Sequence, residues 1–193
     1  MPSVPEEGTE IGKWPGKAEK MRTKHVRVFP YDPEWKEEFH KIRWELEAHL
    51  LACRSWVLAI EHVGSTAVEG LAAKPIIDVD VVIRKGTFPV VRECLEQAGY
   101  MHEGNLGIVG REAFRYSGKE HLMTHHLYVC EKGSRELSRH LAFRDWLRTH
   151  PDDRDAYSAC KLEAASHHPE DIDGYIKEKA PIIEKIYKRC GLL

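Results

Sequence analysis

Two apolar rhythms organise the chain. Asp32-Pro33-Glu34 reads as a helix start: an N-cap side chain, a proline at the first helical position and an early acid. Trp35, Phe39, Ile42, Leu46 and Leu50 follow at spacings of three and four, the stripe of an amphipathic helix. Ahead of it, Val26-Arg-Val-Phe29 predicts a short strand that opens the ordered body. Beyond it the period shortens to two. Trp56–His62 reads as a strand, and Pro75–Ile83 (PIIDVDVVI) is the strongest strand pattern in the chain. Thr87–Ala98 predicts a helix stopped by Gly99, and Glu112–Ser117 and Thr124–Glu131 predict two strands joined around Gly118. Ser134 caps a helix running to about Thr149, and Pro151 restarts the chain. Helical segments fill 152–166 and 170–190, with Gly174 and Pro181 expected to break or kink the last one. The pattern predicts an α+β fold, a mixed sheet flanked by helices, with a helical C-terminal third from about residue 134.

Residues 1–24 fit neither rhythm. They hold Pro2, Pro5, Pro15, three glycines and mixed charges, with Trp14 almost the only large apolar group. Such a stretch buries too little surface to offset its ordering, so it reads as a disordered tail; the alternative is that Trp14 docks on the body. Residues 25–193 then form a single domain, as a chain of 193 residues allows.

Charge changes the picture by exclusion. With 29 Lys+Arg against 31 Asp+Glu, the chain is not built to coat nucleic acid or an acidic membrane. No apolar run approaches the roughly 20 residues of a membrane span, and no signal-like segment opens the chain. Five cysteines, an odd number without any C-x-x-C, predict free thiols in a reduced, cytoplasmic protein.

The chemistry concentrates in His62-Val-Gly-Ser-Thr66 and, twelve residues after Ser65, in Asp78-Val-Asp80. Side chains at i and i+2 of a strand share a face, with Cα atoms about 6.6 Å apart. Asp78 and Asp80 therefore project together, opposite Ile77, Val79, Val81 and Ile83. Two carboxylates on one strand face repel each other and resist burial. A divalent cation resolves that repulsion, and hard oxygen ligands suit Mg²⁺ (or Mn²⁺); the plain alternative is a solvated strand face. Gly64 and Ser65 stand where a strand ends and a helical turn begins. There a glycine allows close approach and a hydroxyl adds a donor for phosphate oxygens. The same residue types also serve an ordinary turn. Taken together, the two motifs predict a site for a nucleoside triphosphate and Mg²⁺.

A glycine-serine pair, a spacer and D-x-D on a strand resemble the nucleotidyltransferase superfamily that includes polymerase β. Closer still is the resemblance to the GrpB family, also called UPF0157, assigned to that fold. It runs from about Val26 to near the C-terminus. It rests on Tyr31-Asp-Pro33, Glu61-His-Val-Gly-Ser-Thr-Ala67, Lys74-Pro-Ile-Ile-Asp78, Gly110-Arg111, His125-His-Leu-Tyr-Val129 and Arg139-His-Leu-Ala-Phe-Arg-Asp145. The resemblance implies a nucleotidyltransferase-like mixed sheet with Asp78 and Asp80 as metal ligands. Such sheets usually add a third carboxylate on a later strand to activate the acceptor hydroxyl. Here the corresponding strand is Thr124–Glu131, whose interior holds no acid. Its alternation puts His126, Tyr128 and Cys130 on one face, with Leu127 and Val129 on the other. His126 takes the base or ligand role, and Glu131, at the strand's end, is a poorer substitute.

Further donors are Arg111, presented by the loop through Gly104, Gly107 and Gly110, and Arg144, together with Lys74 just ahead of the acidic strand. Arg144 is equally explained by pairing with a local acid, and Arg148 reads as part of a solvated helix face. His121, His125, His126 and His140 invite a zinc reading, but no zinc spacing occurs and His125 and His126 point to opposite faces. Two functions remain open. One is Mg²⁺-dependent transfer of a nucleotidyl group from a triphosphate to a small acceptor. In it Asp78 and Asp80 hold metal, Gly64, Ser65 and Lys74 the phosphates, Arg111 and Arg144 the developing charge, and His126 the acceptor. The other is a nucleotide-binding sensor or partner protein without turnover. Either suits a monomer or a homodimer with no membrane or nucleic-acid partner.

Overall fold

The computed structural model describes residues 25–193; the tail expected over 1–24, with Trp14, lies outside the described residues. The first helix, α1 (Glu34–His49), buries the Trp35, Phe39, Ile42 and Leu46 stripe. Asp32 Oδ1 accepts from the backbone N–H of Glu34 at 2.9 Å and so closes the first turn.

Five strands follow: β1 (Val57–Val63), β2 (Ile77–Ile83), β3 (Tyr100–Gly104), β4 (Glu112–Tyr116) and β5 (His125–Glu131). They form one sheet in the order β1-β2-β5-β4-β3. β2 and β5 run parallel, and the other pairs are antiparallel. A parallel pair needs a crossover. It passes through α2 (Phe88–Gln97), β3 and β4. The register sets Asp78 beside His126 and Asp80 beside Tyr128, while Val63 and Glu61 of β1 flank the same two acids.

The two sheet faces differ. On one, Ile77, Val79, Val81, Ile83, Leu127 and Val129 join α1 and α2 in the main core. Each such side chain contributes about 1.5–3 kcal/mol on burial. On the other face, α3 (Arg135–Thr149) covers only one end, where Leu137 and Leu141 meet Val82, Cys130 and Ala59. Asp80 continues this face under α3, where His140 reaches it, and Asp78 and His126 lie beyond it. The predicted Ser134 cap is present, its Oγ accepting from Leu137 N–H at 3.3 Å. α4 (Pro151–His167) and α5 (Ile172–Arg189) complete the helical third.

Three expectations change. Val26–Phe29 is not a strand: Phe29 makes one two-bond bridge to Ala73, and Val26 packs with Ala164 and Tyr175. The partner segment offers a single residue in register, so no ladder extends. β3 was not predicted, because Tyr100-Met-His-Glu-Gly104 lacks β-branched residues. Pairing with β4 and burial of Tyr100 create it. α5 runs unbroken through Gly174 and Pro181. Gly174 lies in its first turn, where Asp171 Oδ1 accepts the N–H groups of Asp173 and Gly174. Ile182, Ile183 and Ile186 hold the segment around Pro181 against Val68, Leu71, Leu147 and Tyr157. All five cysteines are free, and among the described residues no helix is long and apolar enough to cross a membrane.

Candidate functional site

Asp78 and Asp80 do share a face, and burial separates their circumstances. Asp80 is fully buried, because α3 closes over its end of the strand. Its Oδ2 accepts from His140 Nδ1 at 2.8 Å, while its Oδ1 is buried without a hydrogen-bond partner. Burial pushes the Asp80 carboxyl above its ordinary range, and the His140 contact opposes this. An unsatisfied buried oxygen on an acid is costly. His140 is itself set between two acids, its Nε2 lying 3.2 Å from Glu136 Oε1. Burial works against its protonation, but the Asp80 and Glu136 charges win and raise its pKa.

Asp78 is less enclosed. Its Oδ1 accepts from His126 Nδ1 at 2.9 Å, which leaves Nε2 as the second nitrogen of a half-exposed ring. Its Oδ2 packs against Gly64, where any Cβ would overlap the carboxylate. Gly64 has φ +70°, so the turn needs glycine for its backbone as well as for that contact. The turn Ser65–Ala67 is a short 3₁₀ segment. It is pinned by Thr66, whose hydroxyl donates to Ile76 O at 3.3 Å and lies 3.0 Å from His62 Nε2. His62 stacks on Phe39 with ring centroids 4.5 Å apart, and burial drives its pKa down to about 4.

The cationic candidates divide. Arg111 sits 4.2 Å from the Tyr128 ring centroid, its charge reaches Asp80, and its buried Nε has no partner. Lys74 is half-buried and feels the charge of Asp78. Arg144 is turned elsewhere: its guanidinium donates to Glu61 Oε2 (2.8 Å), His62 O (3.0 Å) and Asp145 Oδ1 (2.7 Å). The local-acid reading of Arg144 thus has its partners, and the structure does not bring this residue to the Asp78–Asp80 pair with a free donor. Arg148 bonds Ala67 O through two nitrogens.

The four histidines considered for zinc disperse. His121 goes to Glu45, His125 into the core against Tyr100 and Met123 O, His126 to Asp78 and His140 to Asp80. His125 is buried with its pKa pushed down to about 4, as its opposite-face position requires. Glu131 is remote from the acids, accepting from Gly86 N–H at 2.7 Å. Among the described residues, no group of three or more His, Cys, Asp or Glu side chains is arranged to hold a metal ion. The fit to Mg²⁺ therefore rests on two carboxylates, with the unpartnered Asp80 Oδ1 as the observation in its favour. Mg²⁺ commonly uses one or two protein carboxylates and takes its other ligands from phosphates and water.

Sequence reasoning missed Glu136, Lys161 and Lys179, and it considered His140 only for zinc and as part of a helix stripe, not as the partner of Asp80. Lys161 Nζ donates to Ser65 Oγ at 3.0 Å from a fully buried position on α4. A signal existed: Tyr157, Lys161 and Ala164 fall at helical spacing, so a lysine occupies an apolar stripe.

Residues 25–189 match the family described as GrpB protein. The chain belongs to the GrpB family. Its fold is similar to the crystal structure of conserved protein GrpB from Enterococcus faecalis. The TM-score is 0.73 and the identity 35%, over 85% of this chain and 96% of that one. It is 33% identical to the glutamate-rich protein GrpB of Alkalihalophilus pseudofirmus, covering 83% of this chain and 93% of that protein. UPF0157 protein YqkA of Bacillus subtilis is 37% identical over 80% of this chain, which spans only 44% of YqkA. A protein of Mycolicibacterium paratuberculosis named dephospho-CoA kinase is 29% identical over 86% of this chain, which spans 46% of it. Within the GrpB chain described here, Glu61-His-Val-Gly-Ser-Thr-Ala67 is the segment that meets the acids, arginines and buried lysine at once.

Proposed function

We propose that this GrpB protein transfers a nucleotidyl group from a nucleoside triphosphate to a small acceptor in a Mg²⁺-dependent reaction. The supporting observation is the acid pair itself. A fully buried Asp80 with an unpartnered oxygen stands beside an Asp78 whose carboxylate lies against Gly64 and orients His126. Asp78 and Asp80 would hold the metal, which supplies charge neutralisation at the reacting phosphate. His126 is oriented by Asp78 through Nδ1 and offers Nε2 to take the acceptor hydroxyl proton. Gly64 and Ser65 border the phosphates, and Arg111 adds positive charge near Asp80. His140 and Glu136 hold Asp80 in place from behind.

A second reading keeps the same pocket without turnover, as a nucleotide-binding sensor or partner. The absence of an acid inside β5 favours it, as does the match to under half of a protein named dephospho-CoA kinase. One experiment separates the two. The parent, His126→Ala and Asp78→Asn/Asp80→Asn are titrated with Mg²⁺ and each triphosphate, then followed for pyrophosphate release across an acceptor panel. Under the transfer reading, Mg²⁺ with the right triphosphate stabilises the parent by about 2.7 kcal/mol at 100 times its Kd. The double asparagine variant loses that effect. His126→Ala binds within a few-fold of the parent and loses 10²–10⁴-fold in rate. Binding by the parent with no pyrophosphate release on any acceptor leaves the sensor reading.

A further inference from the structure

A second cleft opens across the sheet from the acids. Glu61 and Val63 stand beside Asp80 and Asp78 in the β1–β2 register, so His62, between them, leaves β1 on the opposite face. There the turn after β1 and the first half of α1 border a cleft of about 620 Å³, the size of a small-molecule site. The fold does not use all of its polar atoms. Thr66 gives its one hydroxyl hydrogen to Ile76 O, so at 3.0 Å it accepts from His62 Nε2–H. That fixes the tautomer and leaves Nδ1 as an acceptor without a donor among the described residues, on a ring that burial keeps neutral.

The cations around the cleft differ in what they have left to give. Arg148 spends Nε and Nη2 on Ala67 O. Arg154, half-buried on α4, spends only Nε, on Asp155 Oδ1 at 2.8 Å, and its two terminal nitrogens have no acceptor among the described residues. Gly70 makes room for this guanidinium: its φ is +80°, and a Cβ there would stand 3.2 Å from Arg154 Cζ. Lys36 on α1 is the third cation, exposed and without an ion pair among the described residues. Against the three the lining holds one acid, Glu69. Phe39 and His62, 6% and 9% exposed, are stacked on each other and present little ring surface to a flat base. An anion bearing hydroxyl groups meets both the spare guanidinium nitrogens and the spare imidazole acceptor.

We infer that this cleft binds a small hydroxylated anion, a sugar phosphate or a sugar acid, with Arg154 and Lys36 holding the anionic group and His62 Nδ1 accepting from a ligand hydroxyl. The site lies apart from the Asp78–Asp80 pair and does not depend on nucleotidyl transfer. Neither half of the ligand suffices alone. An anion without hydroxyls leaves His62 Nδ1 without a donor, and a neutral sugar leaves the positive charge of the cleft unmatched. The guanidinium fork takes phosphate and carboxylate oxygens alike, so both sources of charge belong to the same chemistry.

The test is calorimetric titration of the full chain, without metal, with ribose 5-phosphate, gluconate, ribose and sulfate. Ribose 5-phosphate or gluconate is expected to bind about tenfold or more tighter than ribose and sulfate, and the tighter of the two identifies the anionic group. Arg154→Met and Lys36→Met should each weaken that binding about tenfold; Lys36→Met, at an exposed position, carries the test if Arg154→Met does not fold. The double variant Asp78→Asn/Asp80→Asn should bind as the parent does. The site is overturned if the parent binds neither probe, if sulfate binds as tightly (an adventitious ion only), or if parent and cleft variants have equal affinity. Weakened binding in the double asparagine variant with none in Arg154→Met would place the ligand at the acid pair and overturn the cleft as well. None of these outcomes bears on pyrophosphate release, so the transfer reading stands or falls separately.

Discussion

Arginines and lysines stand around the same turn under opposite conditions. Arg144 is enclosed by Glu61, Asp145 and His62 O, and Arg148 by Ala67 O and Asp145. Each of the three nitrogens of the Arg144 fork donates to an acceptor, so these arginines brace the turn from within the protein. Lys161 is more deeply buried than either arginine, Lys179 is partly buried, and the two lysines have a hydroxyl and aromatic rings instead of acids. A cation that the fold neutralises is part of the scaffold. Lys161 is a buried cation of another kind: its acceptor is the Ser65 hydroxyl, and burial pushes its pKa well below the usual lysine value. By sequence position alone, Arg144 was as good a phosphate donor as Lys74, and Lys161 was not considered.

The largest effect comes from breaking the support common to both sets. Gly64→Ala forces an L side chain to φ +70° and drives a methyl group into the Asp78 carboxylate. A loss of about 3 kcal/mol or more in urea unfolding is expected. A variant that unfolds at the parental midpoint would show that the turn is not the strained support of either set.

The pH dependence of stability sharpens the contrast, because lysine and histidine titrate and arginine does not. Lys179 is held at about 8 against 10.5 unfolded, so between those values the unfolded chain binds a proton that the folded chain has released. Stability from this group is therefore absent below pH 8 and rises by about 3 kcal/mol as pH approaches 10.5. Beside the arginines, His62 is held at about 4 against 6.5, and its contribution runs the same way in a lower window. It is complete above pH 6.5, and about 3 kcal/mol is lost as pH falls to 4. Denaturant titrations across pH 4–10.5 measure both. Lys179→Met should reduce the alkaline rise and leave the acid limb unchanged, since Lys74 and Lys161 are also held below their usual values; an unchanged rise would place the titrating group elsewhere.

The smallest effect is expected at Arg144. Arg144→Met leaves Glu61 and His62 O without their donor, which costs about 2 kcal/mol by thermal or urea melts. A double-mutant cycle with Glu61→Gln should recover part of that loss. Additive costs would mean that Arg144 and Glu61 do not interact.

What could be read from the sequence was local and periodic. The α1 stripe, the Ser134 cap, the shared face of Asp78 and Asp80 and the opposed directions of His125 and His126 all follow from backbone geometry that a few residues impose on themselves. Tyr100–Gly104 was illegible because its strand exists through pairing with β4, and α5 survives Pro181 because its isoleucines are packed. His140 lies 60 residues from Asp80, and Lys161 lies 96 from Ser65.

By itself, then, the sequence determined which side chains each element presents and on which face, since helix and strand periods are properties of the backbone. Only the tertiary structure decided which charges meet, how deeply Asp80 and Lys161 are buried, and that Arg144 is neutralised while Lys161 is not. The physical reason is that the energy of a charge depends on its distance from other charges and from water. Both distances are set by elements that the chain brings together from far apart.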